Sequence, residues 1–366
     1  MIEGRELSDR KMQINSLDGL RGFAVLSVFL SHTSNTGILL LPFANFSGIG
    51  RIGVFLFFLL SSFLLSLPFI KNGSEGKSMI FLLNYLIRRF FRIYPLFFLY
   101  LLLGLVTSLT LWKIFEFRSP LGIPFYLSVN SFIDHLILEQ GRGVTWSILV
   151  EFRYYFVLPL LALTYSVVLK SRLIPSIILT VILIVLSQIF WPESETVVND
   201  SRLGPYLPIF FMGSLLALVF HRWQESTLKN SRRALVTIEV LGLLALTAIV
   251  LMTPSIASVI MGEAIAFNYY HKQIMLFGLL WSIVLFSCVA GLGILKKFFE
   301  NKVLRYLGFI SFSVYLWHIV VLDLVRFSKI TIPGKGWIIL VITILISHIS
   351  WAVIEKPLSK VKLRKG

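Results

Sequence analysis

Long apolar segments alternate with short polar connections along almost the whole chain. A membrane-spanning helix needs about twenty predominantly apolar residues, and ten segments meet that requirement. They cover residues 17–41, 50–70, 94–112, 146–168, 174–191, 205–221, 234–252, 273–290, 304–325 and 336–353. The short alternating segments of a transmembrane barrel are not seen. The pattern therefore predicts an all-α, polytopic integral membrane helix bundle in which residues 1–366 form a single transmembrane domain.

Composition agrees with a lipid environment. Hydrophobic residues make up 57% of the chain and charged residues 14%, whereas soluble domains carry about 25% charged residues. The net charge of +16 does not predict a nucleic-acid partner, because the Lys and Arg residues lie in short clusters between apolar segments. The one cysteine, Cys288, lies inside an apolar segment, so an intramolecular disulfide is excluded.

The basic clusters also predict the orientation of the bundle. Most flanking Lys and Arg residues fall on the side of the N terminus when the ten segments are assumed to cross in turn. Cytoplasmic loops carry such an excess. Both termini are therefore predicted to lie in the cytoplasm, with an even number of spans.

Ionisable residues inside membrane segments are candidates for function because each is costly to bury in lipid. Arg21 and His32 lie eleven residues apart in the first segment, which places them on one helix face about 16 Å apart along the axis. His32 is predicted in the outer third of the bilayer. The plainer interpretation is a helix-end arginine and a histidine that is hydrogen-bonded inside the bundle.

A second candidate is the sequence RRFFRIYP at 88–95. Arg89 and Arg92 are three residues apart and share a helix face, and guanidinium groups bind phosphate oxygens in pairs. Pro95 is expected to restart the backbone where the next span begins. An ordinary basic flank that contacts lipid headgroups is the alternative.

Two further candidates are WSILVEFRYYFVLP at 146–159 and SFSVYLWH at 311–318. Glu151 is predicted about 7 Å below the outer face, and Ser311, Tyr315 and His318 share a helix face. The alternatives are a structural salt bridge for Glu151 and a satisfied core histidine for His318.

These depths predict one elongated site. His32, Glu151 and His318 would lie together near the outer face, while the arginines would hold a phosphate-bearing donor at the cytoplasmic end. A histidine beside a carboxylate is suited to general base catalysis on a hydroxyl. No metal-ligand spacing, phosphate-binding loop or dinucleotide fingerprint is present. The other histidines are interpreted as structural: His135, His221, His271 and His348.

In order and spacing, these segments resemble the acyltransferase 3 family of multispanning membrane O-acyltransferases. The resemblance covers nearly the whole chain. It rests on LDGLRG with ten residues between Arg21 and His32, GVFLFFLLSSFLL at 53–65, RRFFRIYP at 88–95, the set Trp146, Ser147, Glu151, Tyr155 and Pro159, SFSVYLWH at 311–318, and a terminal Glu355-Lys356-Pro357.

The resemblance implies transfer of an acyl group, commonly acetyl, from acyl-CoA to a hydroxyl of a cell-surface glycan or glycolipid. Acyl-CoA would be a co-substrate, with no bound cofactor and no metal, and the protein would lie in the bacterial cytoplasmic (inner) membrane. His32 would be the catalytic histidine, with Glu151 orienting it or balancing its charge. Arg21, Arg89 and Arg92 would bind the donor phosphates, and the acceptor side would hold Trp146, Ser147, Tyr315 and His318.

The chain departs from the family pattern at three places. Phe55 stands where the family often has Asp, Ser62 where it often has Gly, and Ile319-Val320 where a proline often follows His318. Many relatives carry a further C-terminal extracytoplasmic hydrolase-like domain. Without one, the membrane domain or a separate extracytoplasmic partner would complete the transfer.

Two other functions fit the same polar residues. A transporter or flippase of a lipid-linked sugar would line its pathway with intramembrane charges, although no inverted repeat is seen. A family member without activity would serve as a scaffold. The sequence leaves open which acyl group is moved, which acceptor receives it, and whether transfer is direct or passes through an acyl-histidine.

Overall fold

The structure, a computed structural model, describes residues 14–115, 123–328 and 334–361. Regular structure in these ranges is helical, apart from one isolated β-bridge between Leu41 and Ala44. The α-helices are α1 (Asn15–Asn35), α2 (Ile49–Asn72), α3 (Met79–Phe115), α4 (Val129–Leu136), α5 (Thr145–Leu163), α6 (Leu173–Phe190), α7 (Leu207–Glu225), α8 (Arg232–Leu251), α9 (Pro254–Met261), α10 (Ile274–Ala290), α11 (Ile294–Phe299), α12 (Lys302–Phe309), α13 (Ser311–Phe327), α14 (Lys335–Ser350) and α15 (Lys356–Leu358).

Every one of the ten predicted segments contains a helix, which confirms the all-α polytopic bundle. Within the described ranges, seven helices are long and apolar enough to cross a membrane, and the bent pair α12–α13 makes an eighth if it is one span. The seven are Ile49–Lys77, Met79–Leu111, Thr145–Val168, Leu173–Phe190, Gly204–Glu225, Arg232–Leu251 and Lys335–Leu358.

Two predicted spans do not meet the length and hydropathy of a spanning helix. The helix α10 has 17 residues and is therefore slightly short. The helix α1 is long enough, but Asp18, Arg21 and several serines lower its mean hydropathy. The count of ten spans and the cytoplasmic position of both termini therefore stay predictions.

The helix α3 differs from its predicted start. It runs without a break from Met79 through Pro95, so the expectation that Pro95 begins a new helix is wrong. A proline in a membrane helix removes one backbone hydrogen bond, and neighbouring groups in the bundle compensate for that loss. As a consequence, Arg89 and Arg92 lie inside a long helix rather than in a flanking connection.

The helix α2 forms the centre of the bundle, because α1, α5, α7 and α10 all pack against it. Four of its phenylalanines, at positions 55, 58, 63 and 69, are fully buried. By contrast, α6 and α8 expose rows of isoleucine, leucine and valine on the outside of the bundle. Lipid is the solvent that such a surface requires.

Candidate active site

Two adjoining cavities lie beside α2. The first, here called the arginine cavity, has a volume of about 80 Å³ and is lined by Arg21, Ser61, Arg89, Arg92, Glu151 and Tyr155 among others. The second, here called the histidine cavity, has a volume of about 270 Å³ and is lined by His32, Arg51, Tyr100, Phe125, Trp146 and His271 among others.

Tyr315 and Val54 line both cavities and so form the partition between them. The Tyr315 hydroxyl donates to the Val144 carbonyl at 3.0 Å and lies 2.6 Å from Ser147 Oγ. These hydrogen bonds join α13 to the start of α5. Where the sequence predicted one elongated site, the structure has two adjoining cavities.

The arginine cavity carries an excess of positive charge. Arg21 comes from α1, and Arg89 and Arg92 come from successive turns of α3. Glu151 is the one carboxylate among its lining residues. Asp18 lies 3.8 Å from Arg21, and the Nε of Arg89 is buried without an acceptor among the described residues. The cavity therefore has donors and charge to offer an anion.

Glu151 is not where the sequence analysis placed it. Its Oε1 accepts hydrogen bonds from Ser61 Oγ at 2.5 Å and from Tyr155 OH at 2.7 Å. It lines the arginine cavity, whereas His32 lines the histidine cavity. The expectation that Glu151 stands beside His32 is wrong, because helix rise gives a depth along one helix but not the tilt that decides which chamber a side chain enters.

The companion of His32 is a second histidine. The ring centroids of His32 and His318 are 5.2 Å apart, so α1 and α13 bring together the two residues predicted at the same depth. His318 Nδ1 lies 3.0 Å from the Val314 carbonyl. Since a carbonyl only accepts, Nδ1 carries the proton and Nε2 has a free lone pair. No described residue pairs with that Nε2.

Three of the four residues predicted on the acceptor side line at least one of the cavities. Trp146 lines the histidine cavity and Ser147 the arginine cavity, although they are neighbours on α5. Tyr315 lines both. His318 is buried next to His32 and lines neither cavity.

Sequence reasoning missed Arg51 and Tyr206. The Arg51 guanidinium carbon lies 4.9 Å from the centre of the Trp146 ring, and its Nη2 donates to Tyr206 OH at 2.5 Å. Arg51 lies at the end of an apolar segment, where an arginine resembles an ordinary flanking charge. An arginine at the outer end of a span, against the direction of the basic excess, is the signal that would have found it.

His271 was interpreted as structural, yet it lines the histidine cavity. Its Nε2 lies 3.1 Å from the Gly48 carbonyl, and its Nδ1 is buried without a partner in the described ranges. Burial and the charge of Arg51 lower the pKa of His271 to about 4. The ring is therefore neutral at pH 7.

The sequence was compared with known families and proteins. The profile of the acyltransferase 3 family, described as an acyltransferase domain, matches residues 14–354. The chain belongs to the acyltransferase 3 family. The match extends over both cavities and confirms the resemblance drawn from the motifs.

Curated relatives of this acyltransferase 3 chain are O-acetyltransferases. The O-acetyltransferase OatA of Staphylococcus aureus is 27% identical over 94% of this chain and 57% of the relative. The peptidoglycan O-acetyltransferase OatA of Listeria monocytogenes is 25% identical over 95% of this chain and 56% of the relative. The putative peptidoglycan O-acetyltransferase YrhL of Bacillus subtilis is 26% identical over 94% of this chain and 55% of the relative.

The chain thus spans little more than half the length of the curated relatives it matches. No solved structure is significantly similar to it.

Proposed function

We propose that this protein is a membrane O-acyltransferase that moves an acyl group, acetyl in the simplest case, from acyl-CoA to a glycan hydroxyl. The observation that carries the proposal is the pair of adjoining cavities. One presents three arginines, and the other presents His32, with Tyr315 and Val54 between them. A two-substrate transfer needs such an arrangement, since each substrate requires a site and the reacting atoms must meet.

The arginine cavity is the proposed donor site. Arg89 and Arg92 lie one turn apart on α3 and can share the oxygens of a phosphate. Arg21 adds a third charge from α1. The cavity is small, so it would hold part of the donor, and the pantetheine arm would pass the Tyr315 partition toward His32.

The histidine cavity is the proposed site of chemistry. His32 would accept the proton of the acceptor hydroxyl as its oxygen attacks the thioester carbonyl, and the CoA thiolate would leave. His318, whose ring centroid lies 5.2 Å from that of His32, would accept a hydrogen bond from the His32 ring on its Nε2 and so select the His32 tautomer. An acyl-histidine relay uses the same residues and remains open within the proposal.

The acceptor is proposed from the relatives. Two of those named above are peptidoglycan O-acetyltransferases by name. A cell-wall glycan or its lipid-linked precursor is therefore the proposed acceptor class. The basic excess at the arginine end supports a cytoplasmic donor site in the bacterial inner membrane, with the acceptor reached from the opposite face or through a separate extracytoplasmic partner.

Binding of CoA and acetyl-CoA to the purified protein tests the proposal first. We expect the wild type to bind both, and the double variant Arg89→Ala, Arg92→Ala to lose about a hundredfold or more in affinity, because two charge-assisted contacts disappear. The matched control is Arg232→Ala, Arg233→Ala. Those two arginines are exposed at the start of α8 and line neither cavity.

Equal loss in both double variants would show a general electrostatic effect and contradict the donor site. A stable wild type that binds no CoA would instead favour a sugar transporter, because a flippase does not consume a thioester.

A further inference from the structure

Arg51 is a buried cation that forms no salt bridge with an acidic side chain among the described residues. Its side chain lies at the start of α2, and the residue is 9% exposed. Among the residues that line the histidine cavity there is no aspartate or glutamate, and Arg51 is the one with a permanent charge. Position 55, one turn further on the same face of α2, is Phe.

Asp200, in the connection between α6 and α7, is already paired with another arginine. Asp200 forms a salt bridge with Arg202 at 2.7 Å. His271 is neutral at pH 7 because burial and the charge of Arg51 lower its pKa. An unpaired charge inside a membrane protein is costly, and such residues mark the places where ions or charged substrates bind.

The guanidinium group is held rigidly with donors to spare. It stacks over the rings of Trp146 at 4.9 Å and Tyr206 at 5.8 Å. Nη1 and Nη2 share the Val197 carbonyl at 3.3 Å, and Nη2 also reaches Tyr206 OH. A guanidinium has five N–H donors. The Nε–H has no acceptor in the described ranges.

The histidine cavity also has the size and surfaces of a sugar site. Its volume of about 270 Å³ approaches the lower end of small-molecule sites, which begin near about 300 Å³. Trp146, Tyr100 and Phe125 supply aromatic surface. The exposed Val198 in the connection between α6 and α7 borders the cavity, so this connection marks the route of entry.

We propose that the histidine cavity receives an acceptor that carries an oxyanion, a carboxylate or a phosphate, near the hydroxyl that is acylated, and that Arg51 binds this oxyanion. The inference rests on the proposed function in taking the histidine cavity as the acceptor site. It adds a substrate class: acidic or phosphorylated sugars are preferred over neutral ones.

Binding of three glycosides that differ only at C6 tests this inference. The probes are methyl β-D-glucoside, methyl β-D-glucuronide and methyl β-D-glucoside 6-phosphate. The protein is the full chain in nanodiscs of zwitterionic lipid, and isothermal titration calorimetry is the measurement. We expect at least one anionic probe to bind the wild type about tenfold tighter or more than the neutral one, because a charge-assisted bidentate contact is gained. The tighter of the two anions identifies a carboxylate or a phosphate as the group recognised.

Arg51→Gln should bind the three glycosides with similar affinities, because the group that distinguishes the anionic probes from the neutral one is removed. Arg51→Lys should retain part of the preference for anionic probes, because lysine keeps the positive charge but cannot form the bidentate hydrogen bonds of a guanidinium. The matched control is Arg202→Gln, an arginine that is paired with Asp200 and half exposed. It should keep the full preference.

A wild type without preference, or a preference that survives Arg51→Gln, would overturn the inference. The comparison of the three glycosides on the wild-type protein tests the preference for anions even if Arg51→Gln does not fold. Acetyl transfer from acetyl-CoA with no preference for anions would overturn the inference alone and leave the proposed function standing. A clear anion preference in a protein that never transfers an acyl group would support the Arg51 site and contradict the proposed function.

Discussion

Three arginines and one glutamate line the arginine cavity, so each charge there acts on the affinity for an anion. Glu151 is held by Ser61 and Tyr155 and lies within electrostatic range of Arg21 and Arg89. Arg92 also lies within electrostatic range of Glu355. The Glu355 carboxylate accepts a hydrogen bond from Ser313. These carboxylates therefore offset part of the positive charge of the three arginines.

Replacing Glu151 with Gln should tighten the binding of CoA. The variant removes one negative charge from the donor cavity and keeps the shape of the side chain. At low salt we expect about a tenfold lower Kd, because a charge a few ångströms away in a protein interior contributes on the order of 1–2 kcal/mol. Tyr155→Phe, which removes a hydrogen bond and no charge, is the control. Weaker CoA binding in Glu151→Gln would show that Glu151 contacts the donor itself.

Replacing His32 with Ala should abolish acyl transfer and leave CoA binding intact, because His32 lines the other cavity. His318→Ala should lower transfer by about tenfold to a hundredfold, since it removes the group proposed to orient the base and not the base. Release of free CoA thiol with an acceptor present measures the rate, and the thermal midpoint in detergent checks folding. Full activity in a well-folded His32→Ala protein would refute the mechanism.

The helices α1 and α12 approach each other closely at glycine residues. A Cβ at Gly308 of α12 would lie 1.8 Å from the Asp18 carbonyl oxygen of α1, and one at Gly22 would lie 1.9 Å from the Leu304 carbonyl oxygen. Close backbone approach at small residues is how membrane helices associate without a hydrophobic drive between them. This contact positions α1, and with it Arg21 and His32.

Gly308→Ala should therefore force α1 and α12 apart. Backbone atoms cannot move aside as a flexible side chain can, so we expect a cost of at least about 1–3 kcal/mol, a lower thermal midpoint and reduced activity. Gly76→Ala is the matched control, because its added Cβ would meet ordinary contacts of 3.5 Å or more. If both variants melt like the wild type, the contact between α1 and α12 is looser than the structure shows.

A second element depends on Glu239, an intramembrane carboxylate that sequence reasoning passed over. Its two oxygens accept hydrogen bonds from the backbone N–H groups of Gly293 at 2.9 Å and Leu295 at 2.7 Å. It thereby satisfies the N-terminal donors of α11 from a position on α8.

Glu239→Ala should destabilise the protein by about 2 kcal/mol or more, because two buried N–H groups lose charge-assisted acceptors. Glu239→Gln should cost less, since its one amide oxygen still accepts. Thermal midpoints of the two variants in the same detergent give the comparison. Equal midpoints for Ala and the wild type would show that water replaces the carboxylate.

At the scale of the whole molecule, the two cavities take their lining residues from opposite ends of the helices. The arginine cavity takes Arg21 from the start of α1 and Arg89 and Arg92 from the first half of α3. The histidine cavity takes residues from the second half of α1, the start of α2 and the connections that enter α5, α7 and α10. The two cavities therefore lie toward opposite ends of the bundle, which is the arrangement that the proposed donor and acceptor sites require.

Single cysteines test this topology in a Cys288→Ala background. A cysteine at Glu263, in the connection between α9 and α10, should react with a membrane-impermeant maleimide in intact spheroplasts. A cysteine at Lys229, between α7 and α8, should react only after permeabilisation. Both sites are exposed, so access depends on the membrane and not on folding. The reverse pattern would place the arginine cavity on the outside and contradict a cytoplasmic donor.

Much of this protein could be predicted from local pattern. Hydropathy located a helix in all ten segments, because a helix in lipid must satisfy its own backbone and cannot hide polar residues cheaply. Spacing along a single helix predicted that Arg89 and Arg92 share a face. His32 and His318 were predicted at the same depth, and their rings are adjacent in the structure. These are properties of one element, or of two elements at a common depth.

The contents of each chamber were decided by the packing of separate helices. Helix tilt and rotation placed Glu151 beside the arginines, and the packing of distant segments placed Arg51 and His271 in the same cavity as His32. Periodicity carries no information on how helices lean against one another, since glycine contacts and buried hydrogen bonds across hundreds of residues set that geometry. The sequence by itself determined the bundle and its polar residues, and the tertiary structure alone decided which of them share a site.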